Sequence, residues 1–116
     1  MEMKIIGLND FRKQIEKLKD ARLITISAID TGEHYQLLYH FDINGIKTFK
    51  ITIPDKKPTI KSIIDIFPSA EFYEREIHDF FGIEFENNPR LHEKMFLPEN
   101  WKDQPPHKKI RNDLNA

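Results

Sequence analysis

Residues 69–85 constrain this chain more than any other stretch, because they specify one helix with both of its ends marked. Ser69 stands as an N-cap whose side-chain oxygen would accept from the first orphan N–H groups. Glu71 and Glu74 place negative charge near the N-terminus, where the helix dipole favours it. Gly82 stops the helix where positive φ is needed, a conformation that a residue without Cβ adopts at little cost. Between these ends Ala70, Tyr73, Ile77, Phe80 and Phe81 recur at three- and four-residue spacing and predict one apolar stripe. The opposite side carries Glu71, Arg75 and Asp79, each four apart, so the arginine can pair in both directions. Such a ladder is expected to be solvated and to add little stability.

A helix of this kind needs a surface to cover, and the preceding residues supply a small antiparallel sheet. Residues 22–30 read as a first strand, with Leu23 and Ile29 on one face and Ile24 and Ile26 on the other. A turn at residues 31–34 leads into a second strand, Tyr35 to Ile43. Asn44 and Gly45 then form the strongest short hairpin signal available. Ile46 to Ile53 alternates, with Ile46, Thr48, Lys50 and Thr52 on one side and Lys47, Phe49, Ile51 and Ile53 on the other. Pro54 and Pro58 end the sheet, since neither supplies a ladder N–H. Ahead of it, Asn9 or Asp10 caps a short helix with Phe11, Ile15 and Leu18 on one face. Behind it, Thr59 to Phe67 is expected to form another, bearing Ile60, Ile63, Ile64 and Phe67, while residues 83–85 add an edge strand or simply pack. The fold class is therefore α+β: an N-terminal helix, a small antiparallel sheet of three to four strands, covering helices and an extended C-terminal arm. Residues 1–98 make one domain and residues 99–116 the arm, which is either a frayed terminus with the Trp101 indole tucked in or an extended segment docked on a partner with Trp101 as its anchor.

Composition narrows the function. A chain of 116 residues with 32% charged and 39% hydrophobic residues is an ordinary globular domain. Its net charge of -1 gives no general attraction to nucleic acid or an anionic membrane. The absence of cysteine excludes disulfides, thiolate zinc sites and cysteine-ligated iron–sulfur clusters. The N-terminal residues show no extended apolar h-region and no small-residue cleavage site, so no secretory signal is expected. No apolar run is long enough to span a bilayer, and the expected location is cytoplasmic, with any membrane contact made through partners.

Candidate chemistry is sparse. Four glycines, Gly7, Gly32, Gly45 and Gly82, build no phosphate-cradling loop, and Ser27, Ser62 and Ser69 stand in no nucleophile elbow. Glu71, Glu74, Glu76, Asp79 and Glu84 form an acidic cluster, yet acid–base catalysis needs a cleft that the pattern does not supply. Glu74 and His78, four apart, have metal-ligand spacing, and His92 or His107 could join them in a metal-dependent hydrolase. Spacing places only two ligands, whereas a site needs three or four, so no catalytic or metal residue is assigned. The nine phenylalanines read as core, with Phe85 and Phe96 nearer a rim.

The stretch from Glu74 through Arg75, Glu76, Ile77, His78, Asp79, Phe80, Phe81 and Gly82 to Ile83 also resembles the motif of the 30 kDa subunit family of respiratory complex I, the C-type subunit of NADH dehydrogenase. The resemblance continues through Asn88 to Leu91, with Pro89 at its centre, then Met95 to Pro98, Trp101, Pro105, Pro106 and Lys108. It departs at Asn88, where the family usually has histidine, and at His92, where a basic residue often stands. His78 to Gly82 is similar to short members found in Ech-type membrane-bound [NiFe] hydrogenases. The resemblance implies a cofactor-free, non-catalytic subunit packed against a large hydrogenase-like subunit, with iron–sulfur subunits in the same complex. It further implies that Glu74, Arg75, Glu76 and Asp79 make charge-assisted contacts, within the subunit or to the large subunit. Phe80, Phe81 and Gly82 would fix the helix, and Trp101, Pro105, Pro106 and Lys108 would lay the arm on a neighbour.

Overall fold

The computed structural model describes residues 2–93. Its frame is a three-strand meander, β2 (Arg22–Asp30), β3 (His34–Asp42) and β4 (Ile46–Pro54), within a residue or so of the bounds that alternation predicts. The hairpin after β3 closes at Asn44 and Gly45, both with positive φ, while the Asp42 carboxylate accepts from the Gly45 N–H at 3.2 Å. Tyr35, Leu37, Tyr39 and Phe41 all face inward along β3, and Phe49, Ile51 and Ile53 continue that face across β4.

A fourth strand, β1 (Glu2–Ile5), runs parallel to β4, so the sheet is mixed, with order β1-β4-β3-β2. Alternation gives no sign of it because its apolar residues point away from the core: Met3 and Ile5 are exposed.

Strand β2 departs from simple alternation. A register shift between Leu23 and Thr25 makes Ile24 a bulge, so Leu23 and Ile26 both reach the core while Ile29 faces solvent. The sequence-based division of these isoleucines between faces is thereby corrected.

The covering layer lies on the inner face. Helix α1 (Phe11–Glu16) buries Phe11 and Ile15, and Phe11 sits 5.0 Å from the Tyr39 ring; Asp10 occupies its N-cap position but makes no side-chain cap bond. Helix α2 (Ala70–Phe81) packs along β2, with Phe81 meeting the Tyr35 ring edge-on at 6.2 Å. Its C-terminus is as expected, with Gly82 at φ 77 and its N–H donating to the His78 carbonyl. Its N-terminus is not. Ser69 is itself helical and makes no side-chain cap bond; the Phe67 and Pro68 carbonyls accept from Ala70 and Glu71 N–H instead.

The helix expected over residues 59–67 is a strand followed by a turn. Strand β5 (Thr59–Lys61) pairs in parallel with β6 (Glu84–Glu86), placing Ile60 beside Phe85, both buried. The i, i+3, i+7 spacing of Ile60, Ile63 and Phe67 does mark buried positions. The backbone donors go elsewhere, however: Ser62 N–H to the Glu86 carbonyl and Ile63 N–H to the Glu74 carboxylate. Phe85, expected near a rim, is core. The α+β class holds, with one long covering helix rather than two among the described residues.

Candidate interaction site on the central helix

Glu74 is the centre of the site. It is fully buried on α2, and all its bonds come from chain segments remote from that helix. Ser62 Oγ–H donates to Oε1 at 2.6 Å, Asn88 Nδ2 donates to the same oxygen at 3.0 Å, and Ile63 N–H donates to Oε2 at 3.0 Å. The Asn88 amide is oriented in turn by Arg90 N–H, which donates to its Oδ1 at 3.2 Å. One carboxylate thus joins the helix to the turn after β5 and to the turn after β6.

Its electrostatics follow from burial. Desolvation raises the Glu74 pKa above the usual 4.5, against the three donated bonds that pull it back. Tyr39 lies within the same field: burial first, then the Glu74 charge, pushes its phenol well above 10.0. Arg12 reinforces the same turn from α1, donating to the Ser62 carbonyl at 2.7 Å and in a two-bond fork to Asp65 at 2.7 and 2.6 Å. That fork lowers the Asp65 pKa and raises that of Arg12.

The expected solvated ladder is overturned. Arg75 is 7% exposed and Asp79 is 1% exposed. Residues 88–93 fold over this side of α2, and Arg75 ion-pairs with Glu71 at 3.5 Å and Glu93 at 3.6 Å. Arg90 closes the cluster, reaching Glu71 at 3.4 Å and Glu93 at 3.0 Å. Helix periodicity could not reveal this, because the covering segment is distant in sequence. For Glu74 a signal did exist: it sits four after Ala70, three before Ile77 and seven before Phe81, inside the apolar stripe.

The remaining motif residues face outward or fix geometry. Glu76, Phe80 and Phe81 are half-buried and line, with Thr25, Ser27 and Ala28, a shallow groove of about 450 Å³ between α2 and the edge strand β2. Tyr73 spans the same seam, its hydroxyl donating to the carbonyl of the bulged Ile24 at 2.9 Å. Pro89 is exposed on the turn that carries Asn88. Trp101, Pro105, Pro106 and Lys108, with Phe96 and His107, lie outside the described residues. Among the described residues no helix is long and apolar enough to cross a membrane.

The Glu74–His78 pair expected from spacing does not converge. Glu74 is turned into the hub, while His78 faces Glu84 and His92. The hydrolase reading built on Glu74 loses its first ligand there. Glu84, Ser62 and Glu93, not singled out as partners by spacing, take the central contacts, and only the three-dimensional pairing of β5 with β6 and the 88–93 turn brings them in.

Comparison with known proteins agrees with the motif. The family profile "Respiratory-chain NADH dehydrogenase, 30 Kd subunit" matches residues 5–113. The C-type subunit of the NADH-quinone oxidoreductase of Herpetosiphon aurantiacus is 43% identical over 61 residues, 53% of this chain and 35% of that protein. The C/D-type subunit of the Methylococcus capsulatus enzyme is 35% identical over 74 residues, 61% of this chain and 12% of that protein. The matches therefore span a third or so, or less, of these relatives' length. Among solved structures, a chain of the membrane-bound sulfane sulfur reductase, an archaeal respiratory membrane complex, superposes with a TM-score of 0.80 at 24% identity. That match covers 98% of this chain and 77% of the other, and shows the shared fold.

Proposed function

Because the chain belongs to the family of the respiratory-chain NADH dehydrogenase 30 kDa subunit, we propose that it is a cofactor-free structural subunit of a membrane-associated, energy-converting oxidoreductase complex. Its role is to fold into a rigid body and present a surface to the large catalytic subunit. The observation that carries this reading is the state of Glu74 and Arg75. These charged motif residues are consumed in internal bonds that lock α2 to residues 62–63 and 88–93. They act as scaffold, leaving Glu76 and Phe80 at the groove beside β2 for a partner.

The Ech-type [NiFe] hydrogenase is the preferred host complex, from the run His78 to Gly82. A NADH–quinone host is the second reading, supported by the names of the curated relatives. One of them carries the designation C/D in a single chain, which supports a D-type large subunit as the neighbour. The test is a tagged pull-down from gently solubilised host membranes with mass spectrometry. A hydrogenase-like large subunit with iron–sulfur and multi-span membrane subunits supports the proposal, and the cysteine ligands of that large subunit separate hydrogenase from quinone type. Recovery of the protein alone would overturn it.

A further inference from the structure

We propose that His78, Glu84 and His92 form a site for one borderline divalent cation of the zinc class, clamping the end of α2 to β6 and to the turn that follows. The three side chains come from three successive elements, yet one ligand atom from each lies within 4.8 Å of the other two. Glu84 already reaches both imidazoles, with Oε1 2.7 Å from His92 Nε2 and Oε2 3.7 Å from His78 Nδ1. The two rings lie 5.0 Å apart.

Two imidazoles and one carboxylate are a donor set that zinc accepts, with an open position for water or a further ligand. His78 Nδ1 also donates to the Ile83 carbonyl at 2.9 Å, so a bound cation would replace that bond at Nδ1 or be taken by Nε2 after the ring turns. His78 is largely buried, whereas Glu84 and His92 are more exposed and can close on an ion by side-chain rotation. Calcium and magnesium are disfavoured, since they prefer oxygen ligands throughout.

Such a clamp would act on the hub. His92 lies between Leu91 and Glu93, in the turn that brings Asn88 to Glu74 and Glu93 to Arg75. A cation held there adds coordinate bonds to contacts otherwise made by single hydrogen bonds and ion pairs. Nothing in this depends on which complex the chain joins.

The experiment uses the full chain, stripped with chelator and titrated with Zn²⁺ in a calorimeter and with Co²⁺ by visible spectroscopy. One equivalent of Zn²⁺ binds, Co²⁺ gives the bands of a low-symmetry nitrogen–oxygen site, and saturating Zn²⁺ raises Tm, as ligand linkage requires. His92→Ala and Glu84→Gln, both at accessible side chains, each weaken binding by about tenfold or more and abolish the Tm rise. His34→Ala, at the first residue of β3, binds as the parent does. Absence of a stoichiometric Zn²⁺ isotherm would overturn the proposal. So would unchanged affinity in folded His92→Ala and Glu84→Gln chains.

Discussion

At the scale of single residues, Glu74 decides most. Replacing it with alanine strands the Ser62, Ile63 and Asn88 donors and opens a void, so unfolding free energy should fall by about 3 kcal/mol. Glu74→Gln should cost about 1–2 kcal/mol, because one amide oxygen cannot serve donors on both sides of the group. The two variants also separate charge from packing. Burial holds the Glu74 pKa above 4.5 in the folded chain, so the folded state binds this proton more tightly than the unfolded state. Stability contributed by this group therefore falls as pH rises from 4.5 through the raised folded value, and is level beyond it. Denaturant titrations across that window should show this component in the parent and not in Glu74→Gln; equal slopes in both would contradict the assignment. Residue spacing placed Glu74 on the apolar stripe and so contained the hint that it is buried. Its partners were not legible, since Ser62 and Asn88 are recruited by tertiary pairing.

Within elements, ends and interiors differ in how well the sequence encodes them. Gly82 is legible because positive φ is a local demand, and Gly82→Ala should cost about 1 kcal/mol. Ser69 has the right identity for a cap but makes no cap bond, so Ser69→Ala should change stability by less than about 0.5 kcal/mol instead of the roughly 1 kcal/mol of a working cap. Thermal melts of the two variants test both statements, and a large loss in Ser69→Ala would restore the cap. The meander was legible because alternation and a hairpin signal agree on it. Strand β5 was not, because Ile60, Ile63 and Phe67 satisfy helical spacing while the donors of Ser62 and Ile63 are claimed from outside. Likewise, the bulge at Ile24 shifts the phase of β2 by one residue, a change that no count of alternating positions reveals.

For the whole molecule, the parallel pairings are the part that local pattern does not carry. Strand β1 joins β4 from far along the chain and exposes its apolar side, and β5 joins β6 around the whole of α2. These long closures bring the 88–93 turn back over α2, which is why the charged side of the helix is interior. Two kinds of substitution should therefore behave differently in the assembled complex. Arg75→Ala removes the buried one of the two cations that Glu71 and Glu93 share, lowering both the Tm of the isolated chain and the yield of complex. Glu76→Lys changes a half-buried position on the groove beside β2, leaving Tm nearly as in the parent while reducing co-purification of the large subunit. Melting curves and quantified pull-downs of the same two variants supply both axes. If Glu76→Lys assembled at the parental level, the partner surface would have to be sought elsewhere on the molecule, although the scaffold role of Arg75 would stand. If instead Arg75→Ala melted and assembled normally while turnover was lost, the motif would be acting in chemistry, and the scaffold reading would fail.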